Sequence, residues 1–288
     1  GKHLVVSRVL ARDKNKDRGF EFDHSIITSN VDDIINDPEI DIIAEAIGGI
    51  EPATSYILRA LEAGKNVVTA NKAALAANYD KIINTAKEHN VRFRFEASVA
   101  AGIPILNAID TVLRGNQFTE IMGIVNGTTN YILTKMSDEG MSYEVALKQA
   151  QEKGFAEADP TADVEGIDVA NKLTILMALT FGHYVKPENI PTVGISKITP
   201  SDIESAKQQG CRIKLVAHAK LENDKLVYEV KPLSLPNSHP LASVNNEFNA
   251  VFITGNAVGE LMFYGRGAGP LPTGSGVVGD IMEIAKVL

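Results

Sequence analysis

A single cysteine, Cys211, occurs among the 288 residues. Its isolation excludes an intrachain disulfide and any zinc site built from cysteines, and it fits a reducing compartment. Basic residues are also short. The chain has 28 Lys and Arg against 36 Asp and Glu, a formal net charge of −8, and a pI near 5.3. That balance argues against nucleic acid or an anionic membrane as partner and toward a small molecule. No apolar run reaches the length of a membrane span, and the opening GKHLVVSRVLARD is interrupted by Arg8 and carries no cleavage-type signal. The expected compartment is therefore the cytoplasm. The histidines, His3, His24, His89, His183, His218 and His239, form no ligand-spaced pair and read as structural or surface residues. There are no repeats and no low-complexity segments. What remains is 44% hydrophobic and 22% charged, over a length that buries a large core and suits two domains.

The first hundred residues alternate short β-rich runs (4–10, 26–27, 40–47, 66–69, 91–96) with helical stretches (31–36, 52–63, 73–90). This predicts a parallel sheet with helices on its faces, a dinucleotide-domain pattern. The glycine-rich turn that opens such a domain does not precede Leu4, and Gly48-Gly49 is a weak substitute. Arg12 follows the first strand, where such folds discriminate a ribose hydroxyl from a 2′-phosphate; it either favours NADP or sits in a solvated charged loop. Asn71-Lys72 closes a strand and opens a helix, the end of an open α/β sheet where ligands bind. A cation at a helix N-terminus needs a reason, since the helix dipole opposes it. In EASVAAGIP, residues 96–104, small residues loosen the backbone, so that carbonyls and Glu96 can converge on a hard cation, although most such loops bind nothing.

From residue 105 the pattern is helix (105–113), strand (118–125), then NGTTNY, where Asn126-Gly127-Thr128 reads as turn and N-cap chemistry rather than as a glycosylation site. Helices follow at 143–153 and 201–208. A hairpin over 212–231 turns at ENDK, and a second strand pair spans 250–264. The end is glycine-rich and then helical from about residue 275; Gly267, Gly269, Gly274 and Gly276 would let backbone approach a ligand, or serve only as a connector.

Residues 154–172, GFAEADPTADVEGIDVANK, form an acidic stretch that ends on a lysine. Glu157, Asp159, Asp163, Glu165 and Asp168 precede Lys172, and an all-round apolar helical run follows. Asp168 and Lys172 stand four apart on one helical face. They are either an ion pair at a helix end or a proton-transfer lysine in a carboxylate-lined pocket that holds an amine.

This run, with its GFAEADPxxDVxGxDxxxK spacing, resembles the signature of the homoserine dehydrogenases, and the asparagine-lysine pair, the 96–104 loop, NGTTNY and the terminal glycine stretch are similar to that family as well. The resemblance departs at the start, where the glycine-rich strand-turn-helix is lacking, and the end leaves no room for the ACT-type domain that many members add. It implies a partial Rossmann-type parallel-sheet domain over 1–104, with 268–288 returning to it, and an α+β substrate and dimerisation domain over 105–267. It implies reversible reduction of aspartate 4-semialdehyde to homoserine with NADP or NAD, in amino-acid biosynthesis leading to threonine and methionine, by a homodimer. Carried over by residue, Lys172 donates the proton and Lys72 assists. Glu157, Asp163, Asp168 and Thr128 bind substrate; Arg12, Gly48, Lys72, Gly269 and Thr273 bind cofactor. Glu96 with the backbone of Val99, Ala101 and Ile103 holds Na+ or K+. Two other classes stand beside this one. The first is a magnesium-dependent lyase or hydrolase using Asp159, Asp163 and Asp168. The second is a catalytically incomplete dimer module.

Overall fold

The computed structural model describes residues 3–14, 16, 17, 19 and 21–288. The chain divides into two compact units, residues 1–95 with Val277–Leu288, and Glu96–Gly276. The loop at 96–104 thus belongs to the second unit.

In the first unit, β1 (Val9–Leu10) pairs in parallel with β2 (Ile27–Thr28). A separate parallel sheet runs in the order β3 (Ile42–Glu45), β4 (Asn66–Thr69) and β5 (Phe93–Arg94). The helices are α1 (Asp32–Ile35), α2 (Ala53–Glu62) and α3 (Lys72–Glu88). β4 is buried along its whole length, as a central strand of a covered sheet must be, and its Asn-Val-Val-Thr sequence supplies the β-branched residues for it. The β-rich run at 4–10 contributes only its last two residues to a strand; Val5 and Val6 are 73% and 68% exposed. Among the described residues no strand joins β1 to β3, and a cavity of about 880 Å³, lined by Leu10, Ile35, Ile43, Ile57, Ile281 and Ala285 among others, lies beside both.

The second unit is built on an antiparallel sheet of order β10-β9-β6-β7-β8, with β6 (Phe118–Ile124), β7 (Cys211–Glu222), β8 (Lys225–Pro236), β9 (Phe248–Gly255) and β10 (Gly259–Arg266). β7 and β8 form the hairpin expected from ENDK, because Asn223 and Asp224 adopt φ of 49° and 63°, the left-handed pair a two-residue turn requires. Both strands run longer than the sequence pattern indicates, for the register continues to Cys211↔Pro236. One core cluster unites Met122, Ile124, Val216, Leu235, Leu241 and Phe252.

The helices of this unit are α4 (Ile105–Asp110), α5 (Gly127–Glu139), α6 (Tyr143–Glu152), α7 (Thr161–Val164), α8 (Ile167–Phe181) and α9 (Pro200–Gln208). α8 is the central helix, with Leu173 to Met177 at 0% exposure. The last helix, α10 (Pro270–Ala285), starts at Pro270, earlier than the expected residue 275, and the unit boundary falls inside it. Proline suits a first helical position because its missing N–H would have no partner there. Gly274 and Gly276 are therefore helical rather than part of a loop. Gly276 is needed for packing: a Cβ there would lie 2.9 Å from the Ala101 carbonyl oxygen.

Candidate active site

The site of the second unit is organised by Asn126, which joins β6 to α5. Its backbone is extended (φ −129°, ψ 114°) and its Oδ1 accepts the Thr129 N–H at 2.9 Å, a helix N-cap as the NGTTNY pattern predicts. A cap uses only the carbonyl half of the side-chain amide. The NH2 half donates to Asp163 Oδ1 at 2.7 Å and to Asp168 Oδ2 at 2.8 Å, so one asparagine holds two carboxylates from two other helices. Asp168, in the first turn of α8, in turn accepts from Lys172 Nζ at 2.7 Å. Lys172 also donates to the Val125 carbonyl at 2.6 Å.

Burial decides what this pair is. A helix-end ion pair in water contributes little, but here the side chains of Lys172 and Asp168 are 9% and 6% exposed. Lys172 thus lies inside the unit. Asp163 and Asp168 together with Lys172 leave one formal negative charge on the cluster, which suits a cationic group such as an ammonium. The Thr128 hydroxyl lies 2.6 Å from the Phe155 carbonyl and 3.1 Å from Asp163 Oδ2, and can donate to one of them at a time. Lys172, Asp168, Asp163 and Thr128, separated by up to 44 positions in the chain, are thereby brought together.

Two carboxylates of the signature are not part of this network. Glu157 is exposed on the turn after α6, where its backbone carbonyl accepts from Gln151 Nε2 at 3.1 Å. Asp159, also exposed, is bound to Thr161 through the hydroxyl at 2.6 Å and the backbone N–H at 3.1 Å, contacts that hold its carboxyl below the ordinary range. The magnesium reading of Asp159, Asp163 and Asp168 is accordingly not supported. Two of the three point at the Asn126 donor, the third caps a turn, and no group of three metal-ligating side chains converges among the described residues.

The sequence did not mark the second role of Asn126, because an N-cap explains an asparagine before a helix completely. The same device recurs at Asn71 in the first unit. Its Oδ1 accepts the Ala74 N–H at 3.1 Å to cap α3, and its NH2 donates to the Gly49 carbonyl at 2.8 Å. Glu45, a buried carboxylate that the sequence reading passed over, accepts the Thr69 hydroxyl at 2.6 Å and the Ile47 N–H at 2.6 Å. These bonds tie the Gly48-Gly49 turn, with φ of 81° and 70°, to the start of α3, so that Gly48 and Lys72 lie at the carboxyl ends of β3 and β4. Parallel strands end in a ligand crevice there. Arg12 is exposed beyond β1. Of the two candidates near the chain end, Gly269 has φ 110°, while Thr273 lies in the first turn of α10, donating its N–H to the Gly269 carbonyl.

Glu96 is 5% exposed, and its two oxygens accept the N–H groups of Leu106 (2.9 Å) and Asn107 (2.6 Å) at the start of α4. Its first role is to cap that helix with charge of the favourable sign. Ala100 and Ala101 hold φ of 54° and 44°, a conformation strained for residues with a Cβ, and Val99, Ala101 and Ile103 are buried around them. Glu96 thus brings one buried carboxylate to this turn.

Two family models match the chain: "Homoserine dehydrogenase" over residues 104–282 and "Homoserine dehydrogenase, NAD binding domain" over residues 2–96. The homoserine dehydrogenase of Bacillus subtilis is 46% identical over 99% of this chain and 66% of its own length. That of Lactococcus lactis is 43% identical over 99% of this chain and 67% of its own. The chain thus spans about two thirds of these relatives. A crystal structure of a homoserine dehydrogenase from Thiobacillus denitrificans superposes with a TM-score of 0.88 at 44% identity, covering 91% of this chain and 61% of that one. A hyperthermophilic archaeal homoserine dehydrogenase in complex with NADPH gives 0.77 at 33% identity, over 90% of this chain and 76% of that one. Matched in both halves by these family models and 43–46% identical to these relatives over 99% of its length, the chain belongs to the homoserine dehydrogenase family.

Proposed function

We propose that this chain carries out the reversible reduction of aspartate 4-semialdehyde to homoserine with NAD(P)H. The observation that carries the reading is the buried Lys172–Asp168 pair held by Asn126, within a chain of this family. A nicotinamide nucleotide held by the chain would supply the hydride that the aldehyde carbon takes up. The protein's own part is the proton. As the carbonyl oxygen gains electrons, Lys172 Nζ gives up a proton to it and an O–H bond forms as the N–H bond breaks. Asp168 and the Val125 carbonyl fix where Nζ points, and the surplus negative charge of Asp163 and Asp168, with Glu157 on the neighbouring turn, attracts the substrate's ammonium. Thr128 orders Asp163 from the other side.

Arg12, Gly48 and Lys72 are the proposed cofactor contacts of the first unit; the NADPH complex of the archaeal relative and the match to an NAD-binding model support a nicotinamide nucleotide. Glu96 and the carbonyls of Val99, Ala101 and Ile103 are the proposed seat of Na+ or K+, supported by the strained turn at Ala100 and Ala101. A homodimer is proposed through the open antiparallel sheet of the second unit. No helix among the described residues is long and apolar enough to cross a membrane. The incomplete-module alternative has no support among the relatives. The test is homoserine-dependent reduction of NAD and of NADP, followed by absorbance, by the wild-type chain and by Lys172→Ala. Reduction by wild type and its loss in the variant is expected; equal rates in the two would refute the role of Lys172, and silence of the wild type with both nucleotides would refute the reaction.

A further inference from the structure

Lys214 is a second buried lysine, on β7, only 1% exposed and outside the proton-transfer cluster. Its Nζ reaches three uncharged oxygens: Asn130 Oδ1 at 3.1 Å, Asn245 Oδ1 at 3.3 Å and the Val244 carbonyl. The charged groups that bear on it are Arg212, beside it on β7, and Asp138 on α5, and these are already paired with each other at 2.9 Å. An ammonium buried without a carboxylate of its own is an expensive way to fill a core, and a methionine or leucine would fill it at less cost. Burial, with some help from the Arg212 charge, pushes the group down from 10.5 to about 7.

What those three oxygens belong to gives the lysine a use. Residues 244–248 form a strap laid across the first turns of α5. Asn130 donates to the Val244 and Phe248 carbonyls at 3.1 and 3.0 Å, and Thr134 Oγ1 accepts the Asn246 N–H at 3.0 Å. Asn246 takes φ 55° to reach it. The strap presses so closely that a Cβ on Gly127 would lie 2.8 Å from the Glu247 carbonyl oxygen. Asn130 and Thr134 stand four apart on one face of α5, and Asn126 is the cap at the head of that helix. The same helix therefore carries the strap contacts and, at its head, the amide that holds Asp163 and Asp168.

We infer that Lys214 is a positioning residue for the proton-transfer site, pinning strap and α5 together through Asn130 so that Asn126 and Thr128 are held against Asp163 and Asp168. This rests on the reaction proposed above only in what the site does. Placement itself can be read without substrate. Lys214→Met keeps the volume of the stem and removes every donor; Lys214→Gln returns two N–H donors.

The test is amide hydrogen exchange at Thr129, Asn130 and Tyr131 in the wild-type chain and both variants, with Ile175, Leu176 and Met177 of α8 as the internal reference. Exchange at least tenfold faster in the α5 amides of Lys214→Met, unchanged α8 amides, and recovery to within threefold of wild type in Lys214→Gln are expected. Equal α5 rates in wild type and Lys214→Met would overturn the inference, as would an increase of the same size in α8, which reports general loosening. If Lys214→Met does not fold, Asn245→Leu against wild type decides, since it removes the strap's side-chain acceptor for Nζ: α5 exchange at least threefold faster with unchanged α8 amides is expected, and equal α5 rates overturn the inference. Calorimetric homoserine affinity is the second reading: a fivefold or greater weakening in Lys214→Met is expected, and faster α5 exchange with unchanged affinity would overturn the link to the site. A wild-type chain that binds no homoserine would count against the proposed reaction, while exchange would still judge the pin.

Discussion

Replacing Lys172 by methionine separates its charge from its volume. The substitution leaves Asp168, 5% exposed, without its ammonium partner while the Asn126 amide still holds it 2.8 Å away. Removing one member of a buried ion pair costs about 3–5 kcal/mol, because the remaining charge stays desolvated. For a unit of this size that corresponds to a fall in Tm of about 6–20 °C. The double variant Lys172→Met with Asp168→Asn buries no unpaired charge, and is expected to regain most of that loss. Turnover should follow neither curve: general acid catalysis contributes about 10²–10⁴-fold, and it is absent from single and double variants alike. The assays are calorimetric melting and nucleotide absorbance on all four members of the cycle. A double variant that recovers turnover with its stability would refute the proton-donor role, and a Lys172→Met variant as stable as wild type would refute the buried-pair argument.

Gly194→Ala should destabilise the second unit by at least about 1–3 kcal/mol, read as a lower midpoint in urea. Its Cβ would come 2.3 Å from the Val164 carbonyl oxygen and 2.5 Å from Glu165 Cα, and backbone cannot swing aside as a side-chain tip can. Glu96→Gln keeps the side-chain shape but removes the charge that caps α4 and replaces one of the two oxygens that accept the Leu106 and Asn107 N–H groups by an NH2 donor; a loss of about 1–3 kcal/mol is expected by melting, along with loss of any Na+ or K+ dependence of activity. The depressed proton affinity of Lys214 predicts a pH signature. Between about pH 7 and 10.5 the unfolded chain retains a proton there that the folded chain has released, so this group makes stability rise with pH across that window and leaves it flat below. Melting at pH 7 and pH 9 should therefore show a rise in wild type that Lys214→Met lacks, and the same rise in the variant would assign it to another group.

Sequence by itself determined the repeating pattern of strands and helices, because periodicity and turn chemistry are local. The βα alternation before residue 95, the Asn223-Asp224 turn and the caps at Asn71 and Asn126 all follow from neighbouring residues. It also put Asp168 and Lys172 on one face, since a spacing of four is a helical property. It did not reveal that the pair is buried, that Asn126 spans two carboxylates, or that Glu45 and Lys214 are buried polar groups with defined partners. Those are properties of elements separated in sequence: β6 meeting α7 and α8 at one asparagine, and β7 meeting α5 and the 244–248 strap at one lysine. Strand ends were likewise settled by pairing, as Val5 and Val6 have strand composition and no partner among the described residues, whereas β7 and β8 extend each other past their apolar cores. A side chain's type is written in the sequence, but its desolvation and its hydrogen-bond partners exist only once distant segments have packed.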